Sequence, residues 1–299
     1  MKNVRFLRVA GSGLVLAAQL MAGCRQASRL LPDHPRLADG VTMRDVRFYS
    51  SALNRPMPYR VFLPTAIATG QKLPVVYLLH GAGESYKTWS NDSDVSQYAA
   101  ISKRGGLVLV MPEGASSYYT NAAEKPSDRY QDYLTADLIS DVEARFPAAK
   151  DRSHRAVIGV SMGGFAAVKL ALTRPDLFAF AGAISPAVDV PSRRFSLRRA
   201  DQWWRFRTVF GPMGSKSRQA ADPFILVRSA DPSATPYLYV TAGENEALLE
   251  PIRRFAARLG ERRVSYEFDT APGGHDWGEW NMQIPGCFTS LMQYLKQPG

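Results

Sequence analysis

The chain has 299 residues, 45% of them hydrophobic and 21% charged, a balance that excludes disordered and fibrous proteins. Two cysteines in this length exclude a disulfide scaffold, and no cluster of cysteine and histidine suggests a metal. The net charge of +10 drops to +7 once Lys2, Arg5 and Arg8 of the N-terminal segment are set aside, and no basic stretch is tied to a recognition motif, so nucleic acid is not an expected partner.

Lys2, Arg5 and Arg8 precede an apolar stretch, 9–22, which small residues close before Cys24. A positive start, a short apolar run and a small-residue boundary describe a secretory signal peptide. The run falls short of the roughly 20 apolar residues of a spanning helix. Residues 20–24, Leu-Met-Ala-Gly-Cys, resemble a bacterial lipobox with Met21 where Leu is usual. Cys24 is therefore the lipidation candidate, implying export and membrane attachment by lipid; a signal peptide with an incidental cysteine is the alternative, giving a secreted protein. Cys287 then has no partner and reads as a small buried hydrophobe. The expected organisation is a signal peptide over 1–23, a tether over 24–40 with Pro32, Pro35 and Gly40, and one domain over 41–299.

Within that domain, strands are expected at 43–49 and 59–63, with Asn54, Pro56 and Pro58 as turn material between them. The continuous apolar runs 75–79, 107–111, 156–160, 178–184 and 237–241 suit strands covered on both faces, and a further strand is expected at 264–268. Helical patterns occupy 130–146, 163–172, 248–259 and 280–295. The alternation predicts an α/β fold: a mostly parallel central sheet, an antiparallel N-terminal edge and helices on both faces. Residues 187–235 break the rhythm and read as an insertion. Its arginines, Arg193, Arg194, Arg198, Arg199, Arg205 and Arg207, suit a solvated face, and its Trp203, Trp204 and Phe206 either pack it onto the sheet or line a lid.

The sharpest chemical signal is Gly159-Val160-Ser161-Met162-Gly163, placed after a strand and opening a helix. A sharp strand-to-helix turn lifts the Ser161 hydroxyl clear of the sheet and sets unpaired helix N–H groups beside it. Serine is a poor nucleophile without a base. Of the four histidines, His34 lies in the tether, His154 at the opposite end of the sheet, and His80 in a Gly-rich turn where backbone is expected to matter more than imidazole. His275, in a glycine-rich loop after a strand and C-terminal to the serine, is the remaining base. For the acid that orients it, Glu244, Glu246, Glu250, Asp269 and Asp276 all qualify by position. An oxyanion hole needs two backbone donors: the N–H of Met162, after the nucleophile, and the N–H of Ala82 in His80-Gly81-Ala82-Gly83.

Residues 77–81, 154–164 and 274–280, Tyr-Leu-Leu-His-Gly, His-Arg-Ala-Val-Ile-Gly-Val-Ser-Met-Gly-Gly and Gly-His-Asp-Trp-Gly-Glu-Trp, resemble the esterase D family of α/β-hydrolases over roughly 43–297. That group holds S-formylglutathione hydrolases, feruloyl and acetylxylan esterases, tributyrin-type esterases and, more distantly, mycolyltransferases. The resemblance implies an α/β-hydrolase fold, carboxylic-ester hydrolysis without a cofactor, and Glu246 as the acid, three residues after Gly243 where the family usually carries Asp. It implies a small-molecule or polysaccharide-linked ester as substrate. Two rival readings are an acyltransferase using the same site and a non-catalytic binding protein on a hydrolase scaffold.

Overall fold

A computed structural model describes residues 32–100, 105–194 and 200–295 of the chain. The expected signal peptide, the lipidation candidate Cys24, and Arg198 and Arg199 of the basic run lie outside the described residues. Among those described, eight strands form one sheet: β1 (Val41–Ser50), β2 (Arg55–Pro64), β3 (Val75–Leu79), β4 (Val108–Pro112), β5 (Arg155–Val160), β6 (Phe180–Ile184), β7 (Tyr237–Gly243) and β8 (Tyr266–Ala271). Their spatial order is β1-β2-β4-β3-β5-β6-β7-β8. Both pairings of β2 are antiparallel, and every pairing from β4 to β8 is parallel. Helices of seven residues or more are α1 (Ile139–Arg145), α2 (Met162–Thr173), α3 (Ala200–Phe210), α4 (Leu249–Glu261) and α5 (Trp277–Tyr294).

The continuous apolar runs are strands because both faces of the sheet are covered, and every residue of β3, β4, β5 and β6 is buried. Alternate side chains separate into two cores. Val75, Tyr77 and Leu79 face one core, which also holds Phe165 and Leu170 of α2 and Ile252 and Phe255 of α4. Val76 and Leu78 face the other core, which also holds Trp280, Ile284 and Phe288 of α5. In the middle of the sheet Gly182 is required by a neighbour rather than by a turn, since a Cβ there would lie 2.6 Å from Sγ of the buried Cys287.

Three local expectations need correction. Pro56 and Pro58 lie inside β2, opposite Tyr49 and Arg47 of β1, rather than in a turn. The C=O of Pro58 accepts from the Glu113 N–H (3.1 Å), so its ring nitrogen faces the same way, away from β1. Proline is tolerated there because the missing N–H leaves the β1–β2 ladder intact. The expected tether is pinned from residue 34 onward: the Arg36 N–H donates to Ser90 O (2.8 Å), and the Ala38 N–H to Ser96 Oγ (2.9 Å). The strand expected at 264–268 begins later, because Val264 enters the core from the turn after α4.

Between β6 and β7 the chain forms α3 and two short helices, Lys216–Gln219 and Pro223–Leu226. Phe206 and Phe210 of α3 pack edge-on against Tyr118 at 5.7 and 5.3 Å, and Phe210 also against Phe165 at 5.7 Å. Trp204 instead is 60% exposed, with the Arg207 guanidinium over its ring. The phenylalanines seat this segment; the exposed tryptophan does not. No helix among the described residues is long and apolar enough to cross a membrane.

Candidate active site

At the end of β5 the chain turns abruptly into α2, with Ser161 at φ 53° and ψ −110°. A side chain in that region carries strain of about 1–3 kcal/mol, so the surroundings must hold it. They do: the Ser161 N–H donates to Ile184 O (2.9 Å), and Ser161 O accepts from the N–H groups of Phe165 (2.9 Å) and Ala187 (3.1 Å). The flanking glycines are there for approach. A Cβ at Gly163 would lie 2.1 Å from Leu79 O, and one at Gly159 would lie 2.2 Å from the Gly163 carbonyl carbon. Helix α2 can therefore descend directly onto β3 and β5.

His275 reaches over the carboxyl edge of the sheet from the loop after β8. Its Nε2 lies 2.8 Å from Ser161 Oγ and its Nδ1 lies 2.6 Å from Glu246 Oε2. The imidazole is 35% exposed, while the Glu246 side chain is fully buried. The other Glu246 oxygen, Oε1, accepts from the Gly243 N–H (3.0 Å), which fixes the carboxylate in the tight turn after β7. The remaining acids are elsewhere. Asp276 caps α5 by accepting from the Gly278 (2.8 Å) and Glu279 (3.2 Å) N–H groups, Glu250 pairs with Arg253 (3.1 Å), and Asp269 and Glu244 are exposed. His154 binds Asp151 (2.7 Å) in the turn before β5, at the far edge.

The loop after β3 supplies the other wall. His80 is 1% exposed, and its imidazole does more than the sequence suggested. The Gly114 N–H donates to Nε2 (2.9 Å), which leaves Nδ1 as the protonated nitrogen, donating to Gly81 O (2.8 Å). Gly81 N–H is taken by Glu84 Oε2 (2.7 Å) and Gly83 N–H by Ser116 Oγ (3.3 Å). Across 81–83 only the Ala82 N–H is left without a protein acceptor among the described residues, and the Met162 N–H has none either. The loop beyond β4 is braced by Lys169 of α2, whose buried Nζ donates to Thr120 Oγ1 (2.6 Å) and Tyr119 O (3.1 Å). Burial pushes this amine down to about 7. A lysine in the apolar run Ala166-Ala167-Val168-Lys169-Leu170 was its only signal in the sequence.

A second carboxyl, Glu279, is 2% exposed beside the Glu246 turn. Gln283 donates to one oxygen and Ser185 Oγ lies 3.5 Å from the other. Burial first, then the charges of Glu246 and Asp276, push its pKa up from 4.5 to about 8. Between those values the folded protein holds a proton that the unfolded chain releases, so this group makes stability fall as pH rises through that window. Glu279→Gln should remove the slope. Its Tm is expected to gain on the native protein between pH 5 and pH 9 by at least about 2–4 °C, the equivalent of 1 kcal/mol in a domain of this size. Parallel Tm–pH curves for the two proteins would contradict it.

No group of three or more potential metal ligands occurs among the described residues. A family model named Esterase, with the description "Putative esterase", matches residues 50–291. An acetyl esterase of Caldicellulosiruptor saccharolyticus is 24% identical over 262 residues, 83% of this chain and 97% of the relative. FphF, a fluorophosphonate-binding serine hydrolase of Staphylococcus aureus, superposes with a TM-score of 0.71 at 25% identity, over 84% of this chain and 98% of that one. An S-formylglutathione hydrolase of Agrobacterium tumefaciens shares the fold, with a TM-score of 0.74 at 21% identity over 88% of this chain and 99% of that one. Fold, site and relatives together define a carboxylic ester hydrolase of the serine-esterase class on the α/β-hydrolase fold. The chain belongs to the Esterase family, within its esterase D-like group.

Proposed function

We propose that Ser161 attacks the carbonyl of a small carboxylic ester and that the reaction passes through an acyl-enzyme. The supporting observation is the unbroken hydrogen-bonded line from Ser161 Oγ through His275 to the buried Glu246 carboxylate. In this reading Glu246 holds the proton on Nδ1, so Nε2 faces Ser161 as a base. Nε2 takes the hydroxyl proton as Oγ bonds to the carbonyl carbon. The negative oxygen is held by the Ala82 and Met162 N–H groups, which the fold leaves unengaged. Collapse breaks the ester C–O bond and passes the proton from Nε2 to the departing alkoxide. Water, deprotonated by the same nitrogen, then releases the acid and restores the serine.

In this reading the substrates are small acyl or phenolic esters, free or linked to polysaccharide; the partly exposed imidazole of His275 and an acetyl esterase among the relatives support it. Export and lipid attachment at Cys24 are part of the proposal on the strength of the N-terminal sequence, as is the division into signal peptide, tether and hydrolase domain with its insertion. Hydrolysis of p-nitrophenyl esters of increasing acyl length, with product analysis in the presence and absence of an alcohol acceptor, tests the chemistry. A burst of p-nitrophenol, followed by steady release of free acid, is expected. Accumulation of the transferred ester at the expense of the acid would establish the acyltransferase instead, and inertness toward every ester would overturn the proposal.

A further inference from the structure

Glu84 lies in none of the motifs that marked the site, yet it is bonded to both of its walls. Its Oε2 accepts from the Gly81 N–H (2.7 Å), inside the loop that presents Ala82. Its Oε1 accepts from Trp277 Nε1 (2.8 Å), two residues beyond His275 at the start of α5. Trp277 is itself set edge-on between Trp89 and Trp280, each with centroids at 5.2 Å, and Trp280 meets the His275 ring at 5.2 Å. One carboxylate thus links the loop after β3 to the segment that carries the histidine.

We infer that Glu84 is a positioning residue for ester hydrolysis: by taking the Gly81 N–H and the Trp277 indole together, it aims the Ala82 N–H at the developing oxyanion and holds that donor in register with His275. The inference rests on the reading of Ser161 and His275 given above. Three observations support it. Gly81 is clamped on both sides: its N–H is held by the Glu84 carboxylate (2.7 Å), and its C=O, which shares a peptide group with the Ala82 N–H, accepts from His80 Nδ1 (2.8 Å) and from the Glu84 N–H (3.4 Å). A Cβ on Gly81 would come 3.2 Å from Glu84 Oε2, so a glycine lets the carboxylate close in. Finally, both partners are donors, which only a carboxylate can satisfy. A glutamine of the same shape offers one acceptor oxygen, and its NH2 would confront an N–H. Burial pushes the Glu84 carboxyl above its ordinary range, while the Gly81 and Trp277 donors pull it back. The group therefore bears a desolvation cost that an exposed surface acid would not.

The test compares the native protein, Ser161→Ala, Glu84→Gln and Trp277→Phe on a p-nitrophenyl ester, alongside inhibition by a trifluoromethyl ketone, whose hemiketal oxyanion needs the same donors. Ester turnover by the native protein that is lost in Ser161→Ala secures the underlying reading; failure there would sink that reading without bearing on Glu84. Given that baseline, Glu84→Gln should lower kcat by about 10- to 100-fold with KM changed by less than about threefold, because a donor misplaced by a fraction of an ångström acts mainly on the transition state. Its affinity for the ketone should weaken in proportion to kcat/KM. Trp277→Phe, which keeps the ring packing and removes one donor, should show a smaller loss of the same kind, and the double variant should fall no further than Glu84→Gln. The inference is overturned if Glu84→Gln keeps kcat within twofold, or if rate is lost while ketone affinity stays native. Should Glu84→Gln fail to fold, Trp277→Phe decides alone by the same kcat and ketone comparison.

Discussion

Ser161→Ala is expected to lower kcat/KM toward p-nitrophenyl esters by about 10⁴–10⁶, with thermal stability almost unchanged. In the proposed mechanism the hydroxyl is the attacking group, 2.8 Å from the imidazole nitrogen that would take its proton. Removing it leaves only the backbone donors and substrate positioning, which sustain a small residual rate. Stability should hold because alanine asks for nothing the turn does not already provide. The positive φ of Ser161 is imposed by the bonds of its own backbone to Ile184, Phe165 and Ala187, and these survive the substitution. Steady-state kinetics and a melting curve on the same preparation check both halves. A variant within tenfold of native activity would remove Ser161 from the mechanism.

Glu246→Gln should be nearly as damaging, lowering kcat by about 10³–10⁴. Glutamine can keep its oxygen on the Gly243 N–H, but its NH2 must then face His275 Nδ1. Nδ1 becomes the acceptor, the ring proton moves to Nε2, and the nitrogen facing Ser161 can no longer take a proton. Volume and packing barely change, so the loss belongs to the tautomer and not to the fold. Glu246→Asp, one methylene shorter, cannot reach both partners of the fully buried carboxylate and should fall between the two. The comparison that decides is kcat for Glu246→Gln against Asp276→Asn and Asp269→Asn. Native rates in the first with crippled rates in either of the others would move the acid elsewhere. Asp276 is engaged in capping α5, so its substitution is expected to cost stability more than rate.

How far the site could be read from the chain depended on whether a signal was local. Gly159 and Gly163 announced a turn in which backbone segments approach too closely for any Cβ, and in the structure a Cβ added at Gly163 would lie 2.1 Å from Leu79 O and one at Gly159 2.2 Å from the Gly163 carbonyl carbon. His275 followed by elimination among four histidines. The acid did not, because five carboxylates qualified by position, and only the path of the turn after β7 brings one of them to Nδ1. His80 was undervalued for a related reason: its imidazole acts on Gly81 and on Gly114, a residue 34 positions away. The proline pair in β2 misled because the tolerance of a strand for proline depends on which neighbour its nitrogen faces, a property of strand order.

The sequence alone determined the layering of this protein and its sharpest turn. Continuous apolar runs must be covered on both faces, and a serine flanked by glycines between strand and helix has few other uses. Tertiary structure decided which charged groups were taken out of water. Glu84, Lys169, Glu246 and Glu279 look in the sequence like any other soluble side chains, yet they lie buried or half-buried, each beside a polar partner from a distant part of the chain: Trp277, Thr120, His275 and Ser185 respectively. The difference is physical. Hydrophobic periodicity is written within a dozen neighbouring residues, whereas burying a charge depends on which hydrogen-bond donors and acceptors the whole sheet brings to one edge.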